Sequence, residues 1–247
     1  MHGDCLARMS EIPDASVDLV LADPPFGTTR CKWDEIIDLD AMWKEVKRVI
    51  KPNGAMVFFG SQPFTTVLIA SNIKQFKYPV VWVKNKSTNF LNAKRQVLRR
   101  HEDILVFYDG QCTYNPQMTT GHAPVNSYTK HAKDGESLGA TKQGLSGGGS
   151  TERYPTSVLE MPVVNQVSHS EPNVHPTQKP VALMEYLIKT YSNEGETVLD
   201  FAAGSMSTAV ACINTKRSCI MIEKDENYFN VGRDRVIKAM QDNGISR

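Results

Sequence analysis

Val17-Asp18-Leu19-Val20-Leu21-Ala22-Asp23-Pro24-Pro25-Phe26 joins a short apolar, β-branched run to a pair of prolines. Proline has no N–H for a ladder and cannot continue a central strand, so the run predicts a strand with Asp23-Pro24-Pro25-Phe26 at its carboxyl end. Ligands of open α/β sheets bind at such ends. Beyond the prolines, residues 38–51 carry apolar side chains at helical spacing (Leu39, Met42, Val46, Val49, Ile50) after an acidic start, and predict a helix. Strands follow at 55–59, 79–83 and 104–108, with a helix at 62–73. Past 172 a helix is expected at 180–191, then a strand at 197–201, a helix at 207–214, a strand at 218–222 and a last helix at 226–240. Strands alternating with helices imply a doubly wound, mostly parallel sheet covered on both faces. Between 109 and 172 the periodicity fades while Gly, Ser, Thr, Asn and Pro accumulate, most densely at 144–151, which predicts an insertion outside the core.

The chain has 247 residues, 40% of them hydrophobic, enough for a substantial core. No stretch has the roughly 18 consecutive apolar residues of a membrane helix, and no secretory signal opens the chain, so a cytoplasmic protein is expected. The five cysteines are scattered without a Cys-x-x-Cys pair, which indicates neither a disulfide framework nor a metal site. With 28 basic and 27 acidic side chains the net charge is +1, so any nucleic-acid surface must be local.

Three motifs carry chemistry. The lone pair of an aryl amine is delocalised into its ring. An aspartate (Asp23) and a carbonyl held by a following proline (Pro24 before Pro25) can each accept one N–H and favour the pyramidal, nucleophilic nitrogen. Phe26 offers a face for stacking a flipped-out base. In Val198-Leu199-Asp200-Phe201-Ala202-Ala203-Gly204-Ser205 an apolar strand enters a Gly/Ser turn that opens a helix, a geometry suited to a nucleotide-like ligand. Glu223, at the end of the next strand, is placed to accept bonds from ribose hydroxyls. His175-Pro176-Thr177-Gln178-Lys179-Pro180 precedes another helix, with Pro180 suited to its first position and Lys179 to a ligand carboxylate.

As a set and in this order, Asp-Pro-Pro-Phe, His-Pro-Thr-Gln-Lys-Pro and Asp-Phe-x-x-Gly-Ser resemble the permuted, β-class DNA amino-methyltransferases. The resemblance runs from Gly3-Asp4 through 101–107 to Ile222-Glu223-x-Asp225. It implies a Rossmann-like methyltransferase fold in permuted order, with a catalytic half at 1–108, a target-recognition insertion at 109–172 and a cofactor half at 173–247. It implies S-adenosylmethionine as cofactor, double-stranded DNA as partner and pairing into a homodimer. Asp23, Pro24, Pro25 and Phe26 take the catalytic role. Asp200, Phe201, Ala202, Gly204, Ser205, Ser207 and Thr208 surround the cofactor together with Asp23, Glu223 holds its ribose, Thr177, Gln178 and Lys179 meet its methionine end, and Asp4 lies near its adenine. Relatives carry glycine where this chain has Met206, and often at Ala209. A left-handed Met206 would cost roughly 1 to 2 kcal/mol and weaken the cofactor about tenfold.

Residues 84–101 hold six Lys or Arg and no acid, and Lys86, Lys94, Arg95, Arg99 and Arg100 are candidate DNA contacts. The activity expected is methyl transfer to adenine N6, since aspartate at the first motif position accompanies adenine in the resembling class. Cytosine N4, a glutamine or RNA amine, and a decayed, DNA-binding relative stay open as alternatives. None of the five cysteines follows a proline, which disfavours cytosine C5 chemistry. His101 and Glu102 read as structural hydrogen-bonding residues, and Trp33, Trp43 and Trp82 as core or pocket wall.

Overall fold

The computed structural model describes residues 1–29, 34–129, 144–164, 173–175 and 177–245. The strand expected before the prolines is β1 (Val17–Ala22), buried along its whole length. Its one charged residue, Asp18, is tolerated because Lys51 Nζ reaches its two carboxylate oxygens at 2.8 and 2.9 Å and the Thr197 N–H donates to it at 2.9 Å. In chain order the elements are α1 (Cys5–Met9), β1, α2 (Leu39–Val49), β2 (Ile50–Gly60), α3 (Phe64–Ser71), β3 (Phe76–Thr88) and β4 (Arg99–Phe107). Then come β5 (Tyr128–Thr129), β6 (Ser146–Gly147), β7 (Val158–Glu160), α4 (Val181–Tyr191), β8 (Thr197–Asp200), α5 (Ser207–Asn214), β9 (Ser218–Met221) and α6 (Glu226–Asp242).

Seven strands form one sheet in the order β7-β3-β4-β2-β1-β8-β9. All pairs are parallel except those of β4, which runs against β2 and β3. Alternation along β1 sorts its side chains. Val20 and Ala22 join the core under α1, α2 and α3, whereas Leu19 and Leu21 join that under α4 and α5. The chain leaves β1 toward β2 on one side and leaves β8 toward β9 on the other. The crevice between the carboxyl ends of β1 and β8 is therefore the switch point of the sheet.

Two expectations change. The 109–172 stretch, expected to lie outside the core, contains β7, which pairs in parallel with Val81–Val83 of β3 and buries Leu159. Three residues are too few to show a period, so pattern alone does not reveal this strand. Pro180 is the N-cap of α4, in extended backbone, and Val181 opens the helix. The fold divides into one unit of 1–115 with 157–247 and a second of 116–156. Within the second, β5 pairs with β6 and Thr119 exchanges two backbone hydrogen bonds with Arg153. The Gly-rich run crosses close to its partner there. A Cβ on Gly148 would stand 2.7 Å from Ser127 Cα. Trp33, Cys31, Pro176 and the stretches 130–143 and 165–172 lie outside the described residues.

Candidate active site

Asp23-Pro24-Pro25-Phe26 leaves the carboxyl end of β1, and an acid outside the three motifs shapes the loop that follows. Asp34 accepts the backbone N–H groups of Gly27, Thr28 and Thr29 at 2.9, 2.9 and 2.6 Å. Burial opposes its ionisation, yet the bonds from Thr29, Gly27 and Thr28 outweigh it and hold the carboxyl below its ordinary range. Gly27 turns at φ +66°, where a Cβ would stand 2.8 Å from Ile36 Cγ1. Phe26 stacks on Phe64 with centroids 5.3 Å apart and also faces the cavity described below.

Asp23 belongs to a nearly buried quartet of charges. Lys179 pairs with Asp23 Oδ2 and lies 3.4 Å from Glu102 Oε2, while Lys84 pairs with the other Glu102 oxygen. Two cations and two carboxylates leave the set neutral, the condition for keeping such groups from water. Lys179 Nζ also sits 4.8 Å from the Phe59 ring centre, and Lys84 Nζ 5.1 Å from that of Trp82. Burial pushes the Asp23 carboxyl up against the pull of Lys179. Glu102 feels the same burial, but Lys179 and Lys84 hold it below the usual range. Lys179 stays above its ordinary value because Asp23 and Glu102 overcome burial. Asp23 Oδ1 is buried and has no hydrogen-bond partner among the described residues. An acceptor left so costs about 1 to 3 kcal/mol, and function is one of the few reasons for keeping it.

Across the crevice, Asp200 ends β8, accepting the Ala202 N–H at 3.1 Å and the Thr208 hydroxyl at 2.5 Å. Burial, with Asp23 and Glu223 nearby, raises its carboxyl to about 7. Glu223 uses one oxygen on Gly204 N and the other on Asp225 N, both at 2.7 Å. Arg235 of α6 braces the turn through Ser205 O at 2.5 Å and Ser205 Oγ at 2.9 Å. Met206 is left-handed at φ +59°. Its side chain nevertheless packs away from the cavity, with Ala203, Ala209 and Met221, and a Cβ on Gly232 would stand 2.6 Å from its Cγ. His175 meets the Tyr228 ring edge-on at 4.1 Å, and burial with Lys179 nearby lowers it to about 4. Asp4 caps α1 through Leu6 N and Ala7 N.

Asp4, Asp23, Pro24, Pro25, Phe26, Thr177, Gln178, Lys179, Asp200, Phe201, Ala202, Gly204, Ser205, Ser207, Thr208 and Glu223 all line one cavity of ≈600 Å³. Lys179 does not stand ready for a ligand carboxylate, because two protein carboxylates already hold it. Glu102, expected to be a structural hydrogen-bonding residue, is part of the cavity wall. Its signal in the sequence is an acid two places before a fully apolar strand segment, which does not name a partner. Of the DNA candidates, Lys86, Lys94, Arg95 and Arg100 are exposed and Arg99 is half-buried, on β3, β4 and the turn between them. Lys84, which opens the same basic run, points inward to Glu102. Trp43 and Trp82 are buried.

A model of the N6/N4-type DNA methylase family matches residues 17–234. The chain belongs to the DNA methylase family. DNA adenine methyltransferase YhdJ of Escherichia coli (strain K12) is 30% identical over 256 residues, spanning 96% of this DNA methylase and 81% of that protein. Type II methyltransferase M.HpaI of Haemophilus parainfluenzae is 25% identical over 244 residues, with 94% and 72% covered. Among solved structures, the M1.HpyAVI–SAM complex shares the fold with a TM-score of 0.60 at 23% identity, covering 95% of this chain and 97% of that one. The cytosine-N4-specific PvuII DNA methyltransferase does so with a TM-score of 0.68 at 15% identity, covering 98% and 90%.

As a DNA methylase, the protein transfers methyl groups from S-adenosylmethionine to DNA. The residues present fit that cofactor. The cavity has the volume of a nucleoside-sized ligand site. Each Glu223 oxygen accepts one backbone N–H and keeps a lone pair for a hydroxyl. No helix among the described residues is long and apolar enough to cross a membrane.

Proposed function

We propose that this DNA methylase methylates the exocyclic N6 of adenine, with Asp23 as the group that receives the amine. The observation that carries the reading is the buried, unpartnered Asp23 Oδ1 at the end of β1, across the crevice from the Asp200 turn. Lys179 occupies Oδ2 and so leaves Oδ1 as the oxygen directed at a substrate N–H. The carbonyl of Pro24, aimed by the ring of Pro25, takes the second amine hydrogen. With both hydrogens held, the nitrogen lone pair leaves conjugation and points along the attack line. S-adenosylmethionine, when bound, supplies an electrophilic methyl group. Glu223 would hold its ribose hydroxyls, and Asp200 with the 201–208 turn would surround its nucleoside. Phe26, backed by Phe64, supplies the face on which the extruded base stacks.

Adenine is favoured over cytosine by aspartate at the first motif position and by the 30% identity to a DNA adenine methyltransferase. A cytosine-N4 activity is the second reading, supported by the fold shared with a cytosine-N4-specific enzyme. Lys86, Lys94, Arg95, Arg99 and Arg100 contact DNA phosphates, and the 116–156 unit reads base edges. Incubation with unmodified plasmid and cofactor, followed by nucleoside mass spectrometry and mapping, tests this. N6-methyladenine is expected, and N4-methylcytosine alone would overturn it. Asp23→Ala, which removes the acceptor, should lower kcat by roughly 10³. Its cofactor affinity, measured by calorimetry, should stay near that of the wild type.

A further inference from the structure

We propose that Leu91, supported by Phe90 and Val97, is a wedge that enters the base stack of duplex DNA and fills the gap left by the extruded target adenine. The proposal rests on the adenine reading above. Leu91 is 101% exposed and Val97 91%, the two most exposed large apolar side chains of the described residues, and Phe90 beside them is 67% exposed. Exposed apolar side chains gathered on one hairpin and rimmed by polar residues mark an interaction site, where a single one would not. The tip that carries it is shaped by its own bonds. Asn89 is left-handed at φ 72°, Phe90–Asn92 form a 3-10 turn, Asn92 donates to Asn89 Oδ1 at 2.8 Å, and Arg95 N reaches Asn92 O at 2.8 Å.

Position and charge select the partner. β3 runs parallel to β1, so the β3–β4 hairpin leaves the same end of the sheet as Asp23. Its root is the wall of the active site: Lys84 and Glu102 belong to the charged quartet, and Trp82 pairs with Glu102 in the ladder. Between Val83 and Thr88 the ladder is bulged: β4 covers the same stretch in two residues, from His101 to Arg99, an advance of roughly 7 Å. The apolar tip thus lies past the bulge, on the hairpin whose root, at Glu102, lines the cavity. Lys86, Lys94, Arg95 and Arg100 are exposed on the strands and turn that carry the tip, and no acid occurs between Lys84 and His101. A twofold contact between copies through this tip would set those cations against one another. A polyanion neutralises them while its stacked bases receive the apolar side chains, the combination used by proteins that insert wedges between base steps.

The test uses a site mapped by the plasmid experiment, in a duplex with 2-aminopurine replacing the target adenine. Wild-type protein should raise its fluorescence several-fold, and Leu91→Ala should raise it weakly. Methyl transfer to the unlabelled duplex should slow roughly tenfold or more in that variant. Affinity for the duplex, by anisotropy, should change little, and Leu91→Phe should restore extrusion and rate. An abasic position opposite the target removes the pairing to be broken and should recover transfer by Leu91→Ala. Full fluorescence and rate in Leu91→Ala would overturn the wedge, as would an equal loss on the abasic duplex or a dimer that dissociates on this substitution. A wild-type protein that methylates no adenine overturns the functional reading itself and, with it, the wedge.

Discussion

Asp23, the proposed acceptor of the amine, cannot be understood from its own chemistry alone. Its Oδ1 is useful because Lys179 fixes Oδ2, and Lys179 is held in turn by Glu102 and Lys84. Glu102→Gln leaves two lysines against one carboxylate in a nearly dry site. Breaking such a set is expected to lower stability by roughly 3 kcal/mol and to draw Lys179 onto Asp23, slowing turnover. Adding Lys84→Met rebalances the charge and should recover part of both, read from the thermal midpoint and kcat of the single and double variants. Met206 gives a second residue-scale prediction, in stability rather than in the cofactor affinity that the sequence expectation named. Relieving the left-handed backbone by Met206→Gly gains roughly 1 to 2 kcal/mol. It also removes a buried side chain and leaves a cavity over Gly232, a loss of about 2 to 5 kcal/mol. The net result expected in urea unfolding is a less stable protein whose cofactor affinity, by calorimetry, is little changed. Gly232→Ala in that background should refill the space and recover part of the stability.

At the scale of elements, the β3–β4 hairpin divides one basic run into buried and exposed members. Lys84, where the strand is packed, faces Glu102; Lys86, Lys94 and Arg95, farther out, face solvent. Lys94→Ala with Arg95→Ala should therefore weaken duplex binding for any sequence. The slope of log affinity against log salt should fall by about one for each phosphate that the variant no longer neutralises. Lys84→Ala should instead act through stability and turnover, leaving that slope unchanged. Titrating a labelled duplex at several salt concentrations separates the two. The charge run is legible in the sequence as a run. Which of its members is buried depends on the ladder between β3 and β4, which pairs positions about 20 residues apart.

For the whole molecule, Asp200 and His175, among the crevice groups whose protonation burial and neighbouring charges shift, couple stability to pH with opposite signs. Asp200, raised to about 7 by burial, keeps a proton that the unfolded chain has already released. Its contribution is complete below the unfolded value near 4 and is lost as pH rises through 7, with a slope of about 1.4 kcal/mol per pH unit at most. His175, lowered to about 4 by burial and Lys179, contributes above the unfolded value near 6.5 and loses that contribution as pH falls toward 4. Between about 4 and 6.5 the two oppose each other and from about 6.5 to 7 only the Asp200 contribution declines, which thermal scans read as the difference in midpoint between wild type and variant across pH. Asp200→Asn, which can still accept from Ala202 N and donate to the Thr208 hydroxyl, should abolish the decline. It should also uncover the acid-side destabilisation due to His175.

The sequence by itself determined the order of elements around β1, β2, β8 and β9, the strand-end position of Asp23, and the motifs that meet in one cavity. Those features depend on local periods of two and 3.6 residues and on where proline and glycine stop them. Only the tertiary structure decided what the motif residues touch. Lys179 reaches Asp23 across 156 positions of sequence, and Gly232 of α6 makes room for Met206 before α5. The short β7 is a strand only because β3 supplies its partner. A charge in a sequence has a sign but no partner. Its partner, and so its protonation and its use, is set by burial and by distance between chain segments that no local pattern encodes.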